Sequence, residues 1–374
     1  MNVLFISKPI APPFHDGSKC LVRDIATRLE RAHAQVLSTR AAQPLTSVNR
    51  TPIEMVPIYS NAGRHAPSLT ENLRAASWVL TRSHADVWHF VFAPNPRTSS
   101  VARWLARGRR KPVVQTIASP PRSFSDVKRL LFGDVVVAQS RWTAERVRAA
   151  CDAERVRVPE LRVIPPPVPT QIIRERGEQL AARASLRIPP DAPLFVYPGD
   201  LEVSCGGNVA LAIAEGLARC LPEAVVLFAY RRKTEATEVA AEALRARAPS
   251  NTRFAASIPD VLSVIASANA VIFPVDDLWG KVDLPIVLLE AMVLGVPVVA
   301  LGQGPLAELA GAEILASKQP DQWIDVLLKL HSDAEFAAAL VAAQRRGSVA
   351  RSAAENVARE YERIYFELFA RRRA

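Results

Sequence analysis

AVIFPVDDLWGKVDLPIVLLEAMVLGVPVVAL, residues 270–301, sets out the folding pattern in miniature. AVIFPV (270–275) and VPVVAL (296–301) are short apolar runs suited to strands buried on both faces. Between them the chain crosses a polar loop and enters a helix with Pro285 near its first position, where a missing amide costs nothing. Gly295 ends that helix and Pro297 forbids its continuation. Glu290 lies one and a half turns inside the otherwise apolar IVLLEAMVL. A carboxylate there is costly to bury unless it is paired or hydrogen-bonded. Either a ligand's hydroxyls or a salt bridge to a neighbouring element would satisfy it.

The same alternation runs outward in both directions. Upstream in the second half are strands LFVYPG (194–199), AVVLFAY (224–230) and TRFAA (252–256), with helices near 208–220, 236–247, 258–266 and 286–294. From Pro320 the chain reads as almost wholly helical, closing with 353–372. The first half begins with MNVLFIS and continues through AQVLST, IEMVPI, DVWHFVF, PVVQTI and DVVVAQS, with helices near 18–32, 69–81 and 98–106. Alternation of this kind points to mostly parallel sheets with helices on both sides. At VIPPPVP (163–169) three consecutive prolines lack amide donors and favour an extended connection between domains. A length of 374 residues also exceeds what one hydrophobic core usually serves. The expectation is α/β, with two doubly wound domains whose ligand-binding strand edges share one cleft.

Composition narrows the function classes. Charged residues are 22% and no apolar run reaches the roughly 18–20 residues that span a bilayer, which suits a soluble protein. MNVLFIS opens directly as a strand without a basic region and cleavage site, so a cytoplasmic location is expected. The four cysteines are scattered, without a CxxC pair, and read as reduced thiols rather than a zinc or disulfide framework. The net charge of +10 suits anionic partners, but with 6% aromatic residues the basic clusters lack the interleaving of single-strand binders. Nucleic acid is therefore not an expected partner. The clusters are Arg107 with Arg109–Lys111, Arg231–Lys233 and Arg371–Arg373, each a solvated surface in its bland reading. Because the first follows an amphipathic stretch containing Trp104 and Leu105, peripheral contact with an anionic inner membrane face is a second reading. No sequence feature specifies an oligomeric state.

Between strand one and its helix lies Pro12-Pro13-Phe14-His15-Asp16-Gly17-Ser18. Gly17 permits a turn that other residues resist, and Ser18 can cap a helix whose exposed amides attract phosphate. A plain structural turn fits as well. His15 is a further candidate, or an ordinary loop histidine.

LPIVLLEAMVLGVPVVA (284–300) resembles the signature of retaining GT-B glycosyltransferases of the family 4 type, glycosyltransferases group 1. The order of parts is similar too: the glycine loop after strand one, VVAQS (136–140), VIPPP (163–167), GPLAEL (304–309) and the closing SAAENVAREYERIYFELFA (352–370). The resemblance implies GT-B architecture, two Rossmann-like doubly wound domains facing a central cleft. Residues 1–165, completed by the helix at about 356–374, would form the acceptor-side domain, and 170–355 the nucleotide-sugar donor domain. It implies that Glu290 holds the donor ribose, and that Leu284, Pro285 and Ile286 bring the helix start to the donor. The family's proximal glutamate falls on Val282, with Asp283 one residue late as the candidate for the transferred hexose. Where the family places arginine and lysine for the diphosphate, this chain reads Gly199-Asp200-Leu201-Glu202, so Asp200 faces the donor and Arg231, Arg232, Lys233 or Lys281 supply the positive charge. Ala118 stands at the usual acceptor-side histidine, leaving His89 as a substitute catalytic residue or a structural one. Amides of Gly17 and Ser18 would help stabilise the leaving diphosphate. The donor nucleotide sugar is then a substrate, with no cofactor and no metal. Two alternatives stand beside transfer: a GT-B binding or scaffold protein with impaired catalysis, and a sugar-nucleotide 2-epimerase.

Overall fold

In the computed structural model, which describes residues 1–12, 14, 16–60, 67–232 and 234–372, the chain divides into two units. The first comprises Met1–Val168, Trp279–Ile286 and Ser352–Ala374. The second comprises Pro169–Leu278 and Val287–Arg351.

The first unit opens with β1 (Asn2–Ile6), α1 (Gly17–Ala26), β2 (His33–Thr39) and β3 (Ile53–Tyr59). Then come α2 (Leu69–Thr81), β4 (Val87–Phe92), α3 (Pro96–Arg109) and β5 (Val113–Ile117). It continues with α4 (Val127–Leu130), β6 (Val135–Ala138), α5 (Arg141–Ala153) and β7 (Glu160–Val163). All seven strands are parallel, in the order β3-β2-β1-β4-β5-β6-β7. The order reverses between β1 and β4, the switch point at which such sheets bind ligands beyond their carboxyl ends.

The second unit holds α6 (Arg176–Ser185), β8 (Leu194–Tyr197), α7 (Gly206–Cys220), β9 (Val225–Tyr230) and α8 (Glu235–Arg245). It continues through β10 (Thr252–Ala256), α9 (Val261–Ala266), β11 (Ala270–Phe273), α10 (Ile286–Val293), β12 (Val298–Leu301) and β13 (Glu313–Leu315). Helices α11 (Pro320–Ser332) and α12 (Ala334–Gln344) follow, then a π-turn over Arg345–Val349 and the short α13 (Ala350–Ser352). The sheet is parallel, ordered β10-β9-β8-β11-β12-β13. The last helix, α14 (Ala354–Arg371), belongs to the first unit.

Side-chain alternation along β1 explains the layering of the first unit. Val3 and Phe5 point into one core, shared with Leu21 and Ile25 of α1 and with Val357, Tyr361 and Tyr365 of α14. Leu4 points into the other, beside Trp88, Phe90, Val79 of α2 and Leu105 of α3. In the second unit α7 buries Leu211, Ile213 and Leu217 and packs close to α11, since a Cβ at Gly216 would fall on the Ile324 side chain.

Two short edge strands went unread in the sequence. β7 overlaps the start of the proline connection, and its half-exposed pattern carries no buried-strand signal. β13 has three residues. Helix α1 stops at Ala26, well before the expected residue 32, where Thr27 turns its hydroxyl back onto the Arg23 carbonyl at 2.8 Å. Among the described residues no helix is long and apolar enough to cross a membrane.

Candidate active site

At the carboxyl edge of the first sheet, the turn after β1 is built around Asp16 rather than Ser18. Asp16 is the N-cap of α1, and its Oδ1 accepts from the Ser18 amide at 2.9 Å and from the Ser18 hydroxyl at 2.6 Å. Its Oδ2 accepts from Lys8 Nζ at 3.0 Å. A carboxylate of the chain thus already occupies the amide proposed for a phosphate. Gly17 has a packing reason for lacking a side chain, since its Cβ would stand 3.1 Å from Val282 Cγ1. Val282, Ile286 and Cys20 form a small apolar cluster with Phe14 against them. The acid position implied by the family is here a hydrophobic contact.

Asp283 is fully buried, and its Oδ2 accepts a 2.6 Å hydrogen bond from the Ser140 hydroxyl. Ser140 also caps α5, accepting from the Thr143 amide at 3.0 Å. In this position the Asp283 carboxylate is tied through Ser140 to the entry of α5. Leu284, Pro285 and Ile286 are also buried, so their side chains serve packing. Lys281 is half-buried. Trp279, 43% exposed, carries the Arg122 guanidinium 4.0 Å above its ring.

His89 takes the structural place that the sequence left open beside a catalytic one. It is fully buried on β4, with Nε2 hydrogen-bonded to the Thr116 hydroxyl and Nδ1 to the Tyr365 hydroxyl, both at 2.7 Å. Phe5 and Tyr361 pack on the ring at 5.1 Å. Burial holds its pKa down to about 3, so the ring is neutral and belongs to the core. His15 and Lys233 lie outside the described residues.

In the second unit the carboxyl-edge loops are tied to one another. Tyr197, at the end of β8, supports the first of them: its hydroxyl donates to the Asp200 carbonyl at 2.7 Å, and Gly199 and Gly206 both close on its ring. Asp200 is buried. Glu202 accepts from the Thr234 hydroxyl at 2.7 Å and from the Thr237 hydroxyl, binding this loop to the start of α8. Arg231 and Arg232 sit on the joined loop. Arg231 is half-buried, and Arg232 pairs with Glu238 at 2.7 Å. At the start of α7 the Cys205 amide donates to Asp276 Oδ1 at 3.0 Å, and Lys318 meets Asp276 Oδ2 at 2.8 Å. Burial pushes the Asp276 pKa up, but Lys318 and the Cys205 amide outweigh it and hold the carboxyl below its ordinary value. Glu290 is half-buried, while Leu288, Leu289, Ala291 and Met292 around it on α10 are wholly buried. The structure therefore gathers Asp200, Arg231 and Arg232 on one loop assembly of the second unit and places Gly17, Ser18 and 281–286 in the first. Sequence reading missed Asp16 and Asp276. The first had a signal, an aspartate directly before a helix; the second is paired across 71 residues and had none.

Residues 193–333 match the family model described as glycosyl transferases group 1. The chain carries a glycosyl transferases group 1 domain. By that domain it is a transferase enzyme, and the matched stretch contains Asp200, Arg231, Arg232, Asp276 and Glu290. Among curated proteins no sequence matches that of the transferase. Its fold is that of solved GT-B glycosyltransferases. Anabaena HepE in complex with UDP-glucose superposes with a TM-score of 0.75 at 16% identity, covering 98% of this chain and 100% of that one. Sucrose-phosphate synthase from Thermosynechococcus elongatus gives 0.72 at 16% identity, covering 99% of each chain. WaaG, a glycosyltransferase involved in lipopolysaccharide biosynthesis, gives 0.64 at 16% identity, covering 98% and 99%.

Proposed function

We propose that the transferase takes a nucleoside-diphosphate sugar as its donor and moves the sugar to an acceptor with retained anomeric configuration, in the manner of family 4. The donor role falls to the second domain, taken as 170–355. The acceptor role falls to 1–165, completed by the helix at about 356–374. The observation that carries this is Glu290, a half-buried carboxylate in the otherwise apolar α10 of the matched domain. Hydroxyl donors of a ribose suit such a group, because a charge-assisted hydrogen bond offsets its desolvation. HepE, on the same fold, is solved with UDP-glucose, which supports a uridine nucleotide as the first donor to try. For the diphosphate the proposed cation is Arg231, half-buried on the loop that Glu202 ties to the start of α8. No cofactor or metal is proposed, so activity should survive chelation.

The test is a titration of UDP-glucose and GDP-mannose into wild type and Glu290→Gln, with the melting temperature followed alongside. Loss of about tenfold in affinity with an unchanged melting temperature is the expected result, the size of one charged hydrogen bond. Equal affinity removes Glu290 from the site. Retention is read from the anomeric configuration of the product.

A second reading, a donor-binding protein with impaired transfer, draws on Val282 in an apolar cluster and on Asp283 locked to Ser140. Binding without any released nucleoside diphosphate would favour it; a 2-epimerase would return an altered sugar. The proposed place of work is the cytoplasm, with peripheral contact at an anionic membrane face. Val101 and Trp104, 52% and 65% exposed on α3, support that contact. Trp104→Glu should release the protein from phosphatidylglycerol vesicles in a pelleting assay, and unchanged pelleting would refute it.

A further inference from the structure

A cavity of about 1010 Å³ opens in the first unit between the ends of α3 and α14, helix α4 and the turn after α5. Its floor includes Pro112 and Val113 at the start of β5 and Gly133 and Asp134 just before β6. Those strands are parallel, so the cavity lies at the amino edge of the sheet, whereas the loop holding Gly17 follows the carboxyl end of β1. The volume is of the size that holds small ligands.

Among the described residues eight lysines and arginines line it against one acid, Asp134. That acid is spent on the chain itself, accepting from the Val113 amide at 2.8 Å. Three of the cations also have protein partners. Arg103 donates to the carbonyls of Lys128 and Leu131, Lys111 to that of Ala85, and Arg371 pairs with Glu160. The side chains of Arg107, Arg110, Lys128, Arg157 and Arg372 make no hydrogen bond or ion pair with the described residues. Cations at helix carboxyl ends do stabilise the helix dipole, which accounts for Arg107 and Arg372 taken singly. It does not account for arginines and lysines from separate elements turning into one concavity, where each repels the next. Burial first, then Arg107 and Arg129, holds the Arg103 pKa below its ordinary value against the opposing pull of Asp126. Two basic clusters some 260 residues apart in the sequence, around Arg107 and Arg371, meet here.

We propose that this cavity binds a multiply phosphorylated group, carried by a soluble oligophosphate or by a lipid headgroup. Forked guanidinium donors suit phosphate oxygens, and several cations around one concavity suit several phosphates. The proposal stands apart from the donor reading, because none of the cavity residues belongs to the second unit.

The test is a calorimetric titration of inorganic tripolyphosphate into the full chain with UDP at saturating concentration, beside flotation with vesicles containing phosphatidylinositol bisphosphate. Three proteins are compared: wild type, Arg107→Glu with Arg157→Glu, and a control reversing Arg82 and Arg346, exposed arginines outside the cavity. One tripolyphosphate bound per chain, weakened at least about tenfold in the cavity variant and kept in the control, supports a soluble ligand. Vesicle binding lost in the same variant, with no tripolyphosphate bound, supports a headgroup. Wild type binding neither probe, or a cavity variant that binds like wild type, or a control that loses as much, overturns the proposal. Because these arginines are exposed, the variants should melt as wild type does, and that is checked first.

Discussion

Burial of His89 links one side chain to the acid stability of the whole chain. Its folded pKa, about 3, lies below the ordinary value of 6.5, so the unfolded chain binds the proton more readily. The stabilising contribution is therefore complete above pH 6.5 and is lost as the pH falls toward 3. From neutrality to pH 5 the loss should be about 2 kcal/mol. His89→Gln, which keeps polar atoms for Thr116 and Tyr365, should remove that slope in urea unfolding at pH 7.5 and pH 5. An unchanged slope would show that another group titrates. At this scale the sequence was a poor guide. A histidine on a strand reads the same whether it faces solvent or a tyrosine brought from 276 residues away. Asp283 was ambiguous for the same reason, because Ser140 reaches it across 143 residues.

Gly17 tests what the start of α1 is for. Packing against Val282 explains the glycine without a phosphate, so Gly17→Val should cost about 1–3 kcal/mol through overpacking. Pairing it with Val282→Ala should recover much of that loss, measured by thermal melting. If the double variant stays as unstable as the single one, Val282 is not the obstacle. Elements themselves were legible where local chemistry decides them. The α2 span is as the periodicity gave it, with Ser68 and Glu71 forming a capping box. Proline at the start and Gly295, at a φ of 76°, bracket α10. Legibility failed where the deciding partner was an edge or a side chain far along the chain, as for β7 and β13.

The first unit is not finished by its own N-terminal half. Tyr361, Ile364 and Tyr365 of α14 are part of its core, Arg28 pairs with Glu355 at 2.9 Å, and the Glu362 carboxylate accepts from the amides of Arg31 and Ala32, both at 2.7 Å. Glu362→Ala leaves those two amides without their acceptor and should destabilise the protein by about 2–4 kcal/mol in urea unfolding. A change below 0.5 kcal/mol, the size of an ordinary surface substitution, would mean that water replaces the carboxylate. The two-sheet plan was readable from the repeated strand–helix alternation, because such sheets leave long apolar runs at regular spacing. The return of α14 came from family resemblance and not from periodicity, since an amphipathic helix does not say which core it covers.

Val168 and Ala353 pair as isolated strand residues, with the Val168 amide on the Ser352 carbonyl at 2.7 Å. The polypeptide thus departs and comes home at a single spot. A ribosome adding roughly 5–20 residues per second needs about ten to forty seconds between those two points. Throughout that interval the nascent chain carries a sheet with one wall missing, its greasy face open to chaperones. A premature stop near the 3′ end of the message would then damage the portion made first.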